Sequence, residues 1–229
     1  MRCPRREEKL KETVSLIEKE SGKAICVPTD VTDRDQVKHL FDETIRNFGQ
    51  VDLLFNDAGS MTAIGASWEL DIDTWWHDIQ VDLLGTYICC RTFLPYMIEK
   101  NSGVIINMDG GGGTTGSFTG ASAYGCAKVA IVRFTESLAG ELESIGSSVI
   151  AVCLNPGFVR SELTEKSIDT PYKAKWIPHV VDKLVNESYD PSSKMNIASF
   201  FEHLVPESHI GWNMSWKTEM IHPLISARY

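Results

Sequence analysis

Tyr124 and Lys128 stand four positions apart in the stretch Tyr124-Gly-Cys-Ala-Lys128. On a helix that spacing puts both side chains on one face. An ammonium held beside a phenol lowers the phenol's pKa and leaves it able to exchange a proton with an alcohol or carbonyl oxygen. A surface Tyr/Lys pair has the same spacing, so the pair takes its meaning from its surroundings. Just upstream, the run from Asn107 to Gly116 contains Gly111-x-Gly113-x-x-Gly116, the spacing of a dinucleotide-phosphate loop. In that fingerprint the glycines open a helix, and an acidic residue about 20 positions later ends the second strand. Here Ser117 to Ser122 separate the run from the next helix, and the acidic position falls in mid-helix near Glu136. The fingerprint fails in context, and the run reads as a turn.

The elements that must position these residues follow from periodicity. Leu10, Val14 and Ile17 share one face of a helix over residues 5–21, which Gly22 ends. Residues 24–30 read as a short buried strand, and 33–49 as an amphipathic helix closed by Gly49. A strand at 51–59, a long helical stretch at 72–99, a strand at 103–108, a helix at 122–145 and a strand at 148–157 follow. Nearly all-apolar strands alternating with helices predict a parallel sheet covered by helices. From Arg160 to Pro206 the pattern is aperiodic and carries four prolines, as in an excursion over the sheet. Residues 209–216 read as a last strand. Tyr172, Trp176 and Tyr189 either line a pocket there or pack over the sheet edge; Trp75 and Trp76 read as packing residues.

The totals bound the function. A chain of 229 residues is read as a single domain, 1–229, with a sizeable core. Its formal net charge of -9 argues against non-specific binding to nucleic acid or anionic membrane. Six cysteines without a C-x-x-C pair and scattered histidines give no metal-ligand spacing, and they suit a reducing, cytoplasmic compartment. No apolar stretch is long enough for a membrane span, and the charged start lacks the apolar core of a signal peptide.

Several motifs agree in order and spacing: Asp30-Val31, Asn56-Asp57-Ala58-Gly59, the Gly-rich run, Tyr124-x-x-x-Lys128 and Pro156-Gly157-Phe158-Val159. Together they resemble the short-chain dehydrogenase/reductase family across nearly the whole chain. The resemblance implies an α/β, doubly wound parallel sheet (Rossmann-like) that binds NADP, or NAD, across the carboxyl ends of its strands. It implies hydride transfer between nicotinamide and a small-molecule alcohol/carbonyl pair, in a protein that commonly forms homo-oligomers through two long helices. Tyr124 would be the acid/base, and Lys128 would hold the nicotinamide ribose and tune Tyr124. Asp30 and Val31 would border the adenine, and Asn56, Ala58 and Gly59 the adenosine side. Pro156, Gly157 and Val159 would flank the carboxamide. The glycine run would be a substrate-side turn.

Four departures from the family pattern matter. The glycine-rich strand-turn-helix that opens the family's fold, roughly 30 residues, has no counterpart, so the sheet is expected to be incomplete at its N-terminus. Arg5 and Arg6 resemble the basic residues that receive an NADP 2′-phosphate, or form a solvated helix start. Where the family places its catalytic serine stand Gly111, Gly110 and Asp109; an ionised aspartate cannot donate the hydrogen bond that polarises a carbonyl. Asp82 replaces the relay asparagine and Asp57 another asparagine. Carboxylates at 57, 82 and 109 would gather near Tyr124 and raise its pKa, and Asp82 is expected to pair with Lys128. These departures leave open an inactive family member serving as a binding or assembly subunit, and a repurposed site whose aspartates hold a cation. The missing strands leave two outcomes, direct pairing of strands 24–28 and 51–55 or an open sheet edge.

Overall fold

The structure, a computed structural model, describes residues 4–185, with side chains from Glu7 onward. The last strand expected at 209–216, and Tyr189, lie outside the described residues. The first helix, α1 (Pro4–Lys19), is followed by α2 (Arg34–Phe48), and both match the expected spans closely. Asp33 caps α2 by accepting from the Asp35 and Gln36 N–H groups, and Gly49 closes it in the left-handed region at φ 79°.

Three parallel strands form the sheet among the described residues: β1 (Leu53–Asn56), β2 (Val104–Met108) and β3 (Ile150–Leu154), in the order β1-β2-β3. In register, Leu54 faces Ile105 and Ile105 faces Ala151. All five β2 residues are buried, as befits a central strand clothed on both faces. On one face Ile105 meets α2, the helix α4 (Gly85–Lys100) and the helix α5 (Ser122–Ser144) through Val37, Phe93, Met97 and Leu138. On the other, Val104, Ile106 and Met108 pack with Phe55, Val152 and Leu154. The fold is α/β, with a parallel sheet and flanking helices.

The strand expected at 24–30 does not form. Residues 22–30 carry no ladder and are half-buried to exposed, although Val31 does pack against the core. A strand is held by hydrogen bonds to neighbours, and among the described residues the sheet contains only β1, β2 and β3, with β1 pairing β2 alone. Of the two outcomes foreseen, direct pairing does not form, and the β1 edge is open among the described residues.

The helical stretch expected at 72–99 forms without a break, and between α3 (Ile72–Ile79) and α4 it widens into a π-turn, Gln80–Leu84. After β3 the described residues form three short helices, α6 (Glu162–Lys166), α7 (Pro171–Trp176) and α8 (Pro178–Val185). Lys9 Nζ, 2.9 Å from Glu162 Oε2, ties α1 to α6. No helix of the described residues is long and apolar enough to cross a membrane.

Candidate active site

The carboxyl ends of β2 and β3 open into a cavity of about 380 Å³. Helix α5 starts beside it and presents Tyr124 and Lys128, one turn apart, to the same wall. The turn that carries the glycine run lies across from Tyr124. A Cβ on Gly110 would collide with the Tyr124 hydroxyl, so the backbone can approach the phenol only with glycine there. Phe118 buttresses the phenol edge-on at 5.9 Å between ring centroids.

Lys128 is buried at 4% exposure, with its ammonium 5.2 Å from the centroid of the Tyr124 ring. It donates one hydrogen bond, to the Met108 carbonyl at 3.0 Å, and lies 3.8 Å from Asp82 Oδ1. An ammonium has three N–H donors. Among the described residues the Met108 carbonyl is the one hydrogen-bond acceptor of Lys128.

Asp82 comes to this place through the π-turn, a device that inserts an extra residue per turn and re-aims one side chain. Its side chain is fully buried; Oδ1 accepts from the Ser60 N–H at 3.0 Å, and Oδ2 has no hydrogen-bond partner among the described residues. Burial pushes its carboxyl up to about 7, against the Lys128 charge and the Ser60 N–H, with the Asp78 charge adding to the rise. Burial also raises the Tyr124 phenol; Lys128 opposes that rise, while Asp82 and Asp109 reinforce it. Lys128 shows the reverse balance. Burial alone would lower it, but the charges of Tyr124, Asp82 and Asp109 hold it above its ordinary value.

Asp109, 4% exposed, lines the cavity, but its carboxylate is turned into the glycine turn. Oδ2 accepts from Asn155 Nδ2 at 3.0 Å and from the Thr114 hydroxyl at 2.7 Å, and Oδ1 is packed against Gly113, where a Cβ could not fit. Thr114 is therefore engaged in holding the turn.

The remaining expected residues divide. Asp57, Gly59, Pro156, Gly157 and Val159 line the cavity; Ala58, Asp30, Val31 and Asn56 do not. Asp30 folds onto its own turn, accepting from the Thr32 N–H at 2.9 Å and the Thr32 hydroxyl at 2.7 Å. Asn56 is buried and donates to Asn107 Oδ1 at 2.8 Å, and Asn107 donates in turn to Thr135. The side chains of Arg5 and Arg6 lie outside the described ones. Trp176 and Tyr172 are not in the wall; Tyr172 donates to Glu69 and Trp176 packs edge-on against Trp68. Trp75 packs as expected, donating to Ser122, whereas Trp76 is 53% exposed. Among the described residues, no three His, Cys, Asp or Glu side chains converge as metal ligands would.

Sequence reasoning missed Asp78. Fully buried, it accepts from the Ser60 and Thr62 hydroxyls at 2.6 and 2.8 Å and from the Thr62 and Ala63 N–H groups at 2.9 and 2.8 Å. It thereby pins the loop after β1 to α3 and brings Ser60 to Asp82. Nothing in its spacing marked it among the acids of that helix. It also missed Phe118, Asn155, Phe158, His179 and Lys183 in the cavity wall.

The sequence profile described as short chain dehydrogenase matches residues 1–171. The chain belongs to the short chain dehydrogenase family. It is 38% identical over 161 residues to a short chain dehydrogenase of Pseudocercospora fijiensis, covering 69% of this chain and 51% of that one. It is 33% identical to the 3-oxoacyl-[acyl-carrier-protein] reductase of Synechocystis, covering 63% and 57%. Among solved structures, a short chain dehydrogenase/reductase from Burkholderia phymatum in complex with NAD superimposes with a TM-score of 0.70 at 26% identity, covering 79% of this chain and 68% of that one. The chain thus spans little more than half the length of these curated relatives.

Proposed function

We propose that this chain carries the acid/base centre of an NAD(P)-dependent oxidoreductase acting on a small-molecule alcohol/carbonyl pair. The observation that carries the reading is the placement of Tyr124 beside a buried Lys128, at the strand ends where the cavity opens. The cavity wall fits the nicotinamide-ribose half of the cofactor. Lys128 offers N–H groups to ribose hydroxyls, Pro156, Gly157 and Val159 form a wall for the carboxamide, and the glycine turn leaves room where a Cβ would intrude. Gly59 stands in the same wall toward the adenosine side, with Asn56, Ala58, Asp30 and Val31 assigned beyond it. NADP is favoured over NAD through Arg5 and Arg6.

When bound, the nicotinamide supplies the hydride donor or acceptor. The chain's own residues manage the proton. Tyr124 passes it between its phenolic oxygen and the substrate oxygen, and Lys128 stabilises the phenolate that oxidation of an alcohol requires. Asp82 works against that phenolate when ionised and less when neutral. Asp109 supplies no donor to a carbonyl, and its place is to hold the glycine turn against Tyr124. Exposed Tyr87 and Val129 on α4 and α5 suit the expected homo-oligomer. The acidic balance suits a cytoplasmic enzyme without nucleic-acid partners.

The test is binding of NADPH and NADH to the protein by fluorescence, with a folding check, followed by a carbonyl-substrate screen. Binding in roughly the micromolar range is expected, and Tyr124→Phe should retain it while losing on the order of 10²-fold or more in kcat. A folded protein that binds neither nucleotide would overturn the reading.

A further inference from the structure

The wall of the cavity changes character along its length. Near Tyr124 stand Lys128 and Asp109. From there a path of ring contacts leads away: Tyr124 meets Phe118 edge-on at 5.9 Å, and Phe118 meets His179 at 4.8 Å. His179 is on α8, and Lys183 follows it one turn later on the same helical face. Lys183 holds its ammonium 5.3 Å over the Phe158 ring, which also lines the cavity. Among the described residues no carboxylate lies within ion-pair distance of Lys183. Burial and the Lys183 charge lower the His179 pKa, with Asp182 opposing, so the cation at this end is Lys183 rather than the imidazole. Met61, Leu163 and Val180 complete an apolar lining between the two ends.

Resting on the oxidoreductase reading, we propose that the substrate is a ring-bearing alcohol or ketone carrying a carboxylate, seated with its reacting oxygen at Tyr124 and its carboxylate at Lys183. The aromatic walls receive the ring. A single ring is assigned to the Phe118, Phe158 and His179 part of the wall, since the nicotinamide takes the Pro156, Gly157 and Val159 part. At the phenol end the Lys128 charge is already faced by Asp82 and Asp109, so the carboxylate is drawn to Lys183 at the other end. His179 adds a neutral hydrogen-bonding group beside the anion. Lys183 is thereby a specificity-determining residue.

The experiment compares 4-acetylbenzoate with its uncharged methyl ester, titrated into the full 229-residue protein and followed by ligand-observed NMR. The acid should bind roughly five-fold tighter than the ester at low ionic strength, and the gap should shrink in about 0.3 M salt. Lys183→Met should abolish the gap, Lys183→Arg should keep it, and NADPH affinity should be the same in both variants. Equal affinities in the wild type, a gap that survives Lys183→Met, or no binding of either probe by protein of normal melting temperature would each overturn the assignment. So would a loss of NADPH affinity in Lys183→Met with the gap unchanged, which would give Lys183 to the cofactor. A wild-type protein that keeps the gap but binds no nucleotide would sink the oxidoreductase reading and leave the anion subsite standing.

Discussion

Residues 24–28 and 104–108 are both short apolar runs, and the fold treats them differently. The second is β2, buried throughout, with β1 on one side and β3 on the other. The first is unpaired, with Ala24 to Val27 only half-buried. Apolar character brings a segment toward the core, but a strand also needs neighbours on which to hang its ladder. The consequence reaches the site. Tyr124, Lys128, Asp109 and Asn155 all lie on or just beyond elements anchored to the paired strands, and they converge on one cavity. Asp30 and Val31 follow the unpaired segment and stand outside its wall.

The sharpest way to break this comparison is to truncate the same side chain in both runs. Ile106→Ala in β2 removes a side chain at 0% exposure and should cost about 4 kcal/mol, within the range for buried isoleucine. Ile25→Ala removes a half-buried one with no ladder around it, and about 1 kcal/mol is expected. Urea unfolding of the two variants measures both values. Equal costs would mean that segment 24–28 is packed as tightly as a paired strand.

A somewhat smaller effect tests the paired side, through Asp82. Its folded-state pKa is raised to about 7, above the ordinary carboxylate value. Burial therefore favours the neutral carboxyl over the charged one. Its favourable contribution is complete below the unfolded pKa and is lost as pH rises through the folded one. Asp82→Asn stays neutral throughout, so its advantage over the wild type should grow by about 3 kcal/mol between about pH 5 and pH 8. Melting curves at the two pH values give the answer, and a constant difference would show that Lys128 keeps Asp82 charged at both. Because the Asp82 charge also raises the phenol, Asp82→Asn should move the Tyr124 titration to lower pH.

What was legible in the sequence was what local chemistry decides. Asp33 and Gly49 mark the ends of α2 because a side-chain acceptor and a left-handed glycine satisfy the helix ends within a few residues. Tyr124 and Lys128 share a face because one helical turn places them so. The Asp82–Lys128 pairing was readable once both were assigned to the site, and the 3.8 Å separation agrees with it. The π-turn that delivers Asp82 was hidden, since an inserted residue leaves the apolar pattern of 72–99 nearly unchanged. Asp78 was hidden because its four acceptor contacts run to a loop far away in the sequence. His179, Lys183 and Phe158 lay where no periodicity shows which side faces inward. The strand at 24–30 was over-read because composition reports burial and is silent about partners.

The smallest effect concerns the edge that this difference leaves behind. Leu53 opens β1 and is 39% exposed, beside backbone groups with no strand across from them among the described residues. Such an edge is a template for another chain, and a lysine is the usual way to blunt it. Leu53→Lys should change the unfolding free energy by less than about 1 kcal/mol, since the side chain is only partly covered and a lysine stem can keep part of its contact. Its effect should appear in sedimentation velocity, as a shift toward smaller species at concentrations where the wild type associates. If the lysine costs far more stability than that, Leu53 is covered in solution and β1 has a partner. If stability and association both stay as they were, any self-association runs through another surface, and the exposed Tyr87 and Val129 of α4 and α5 become the place to look.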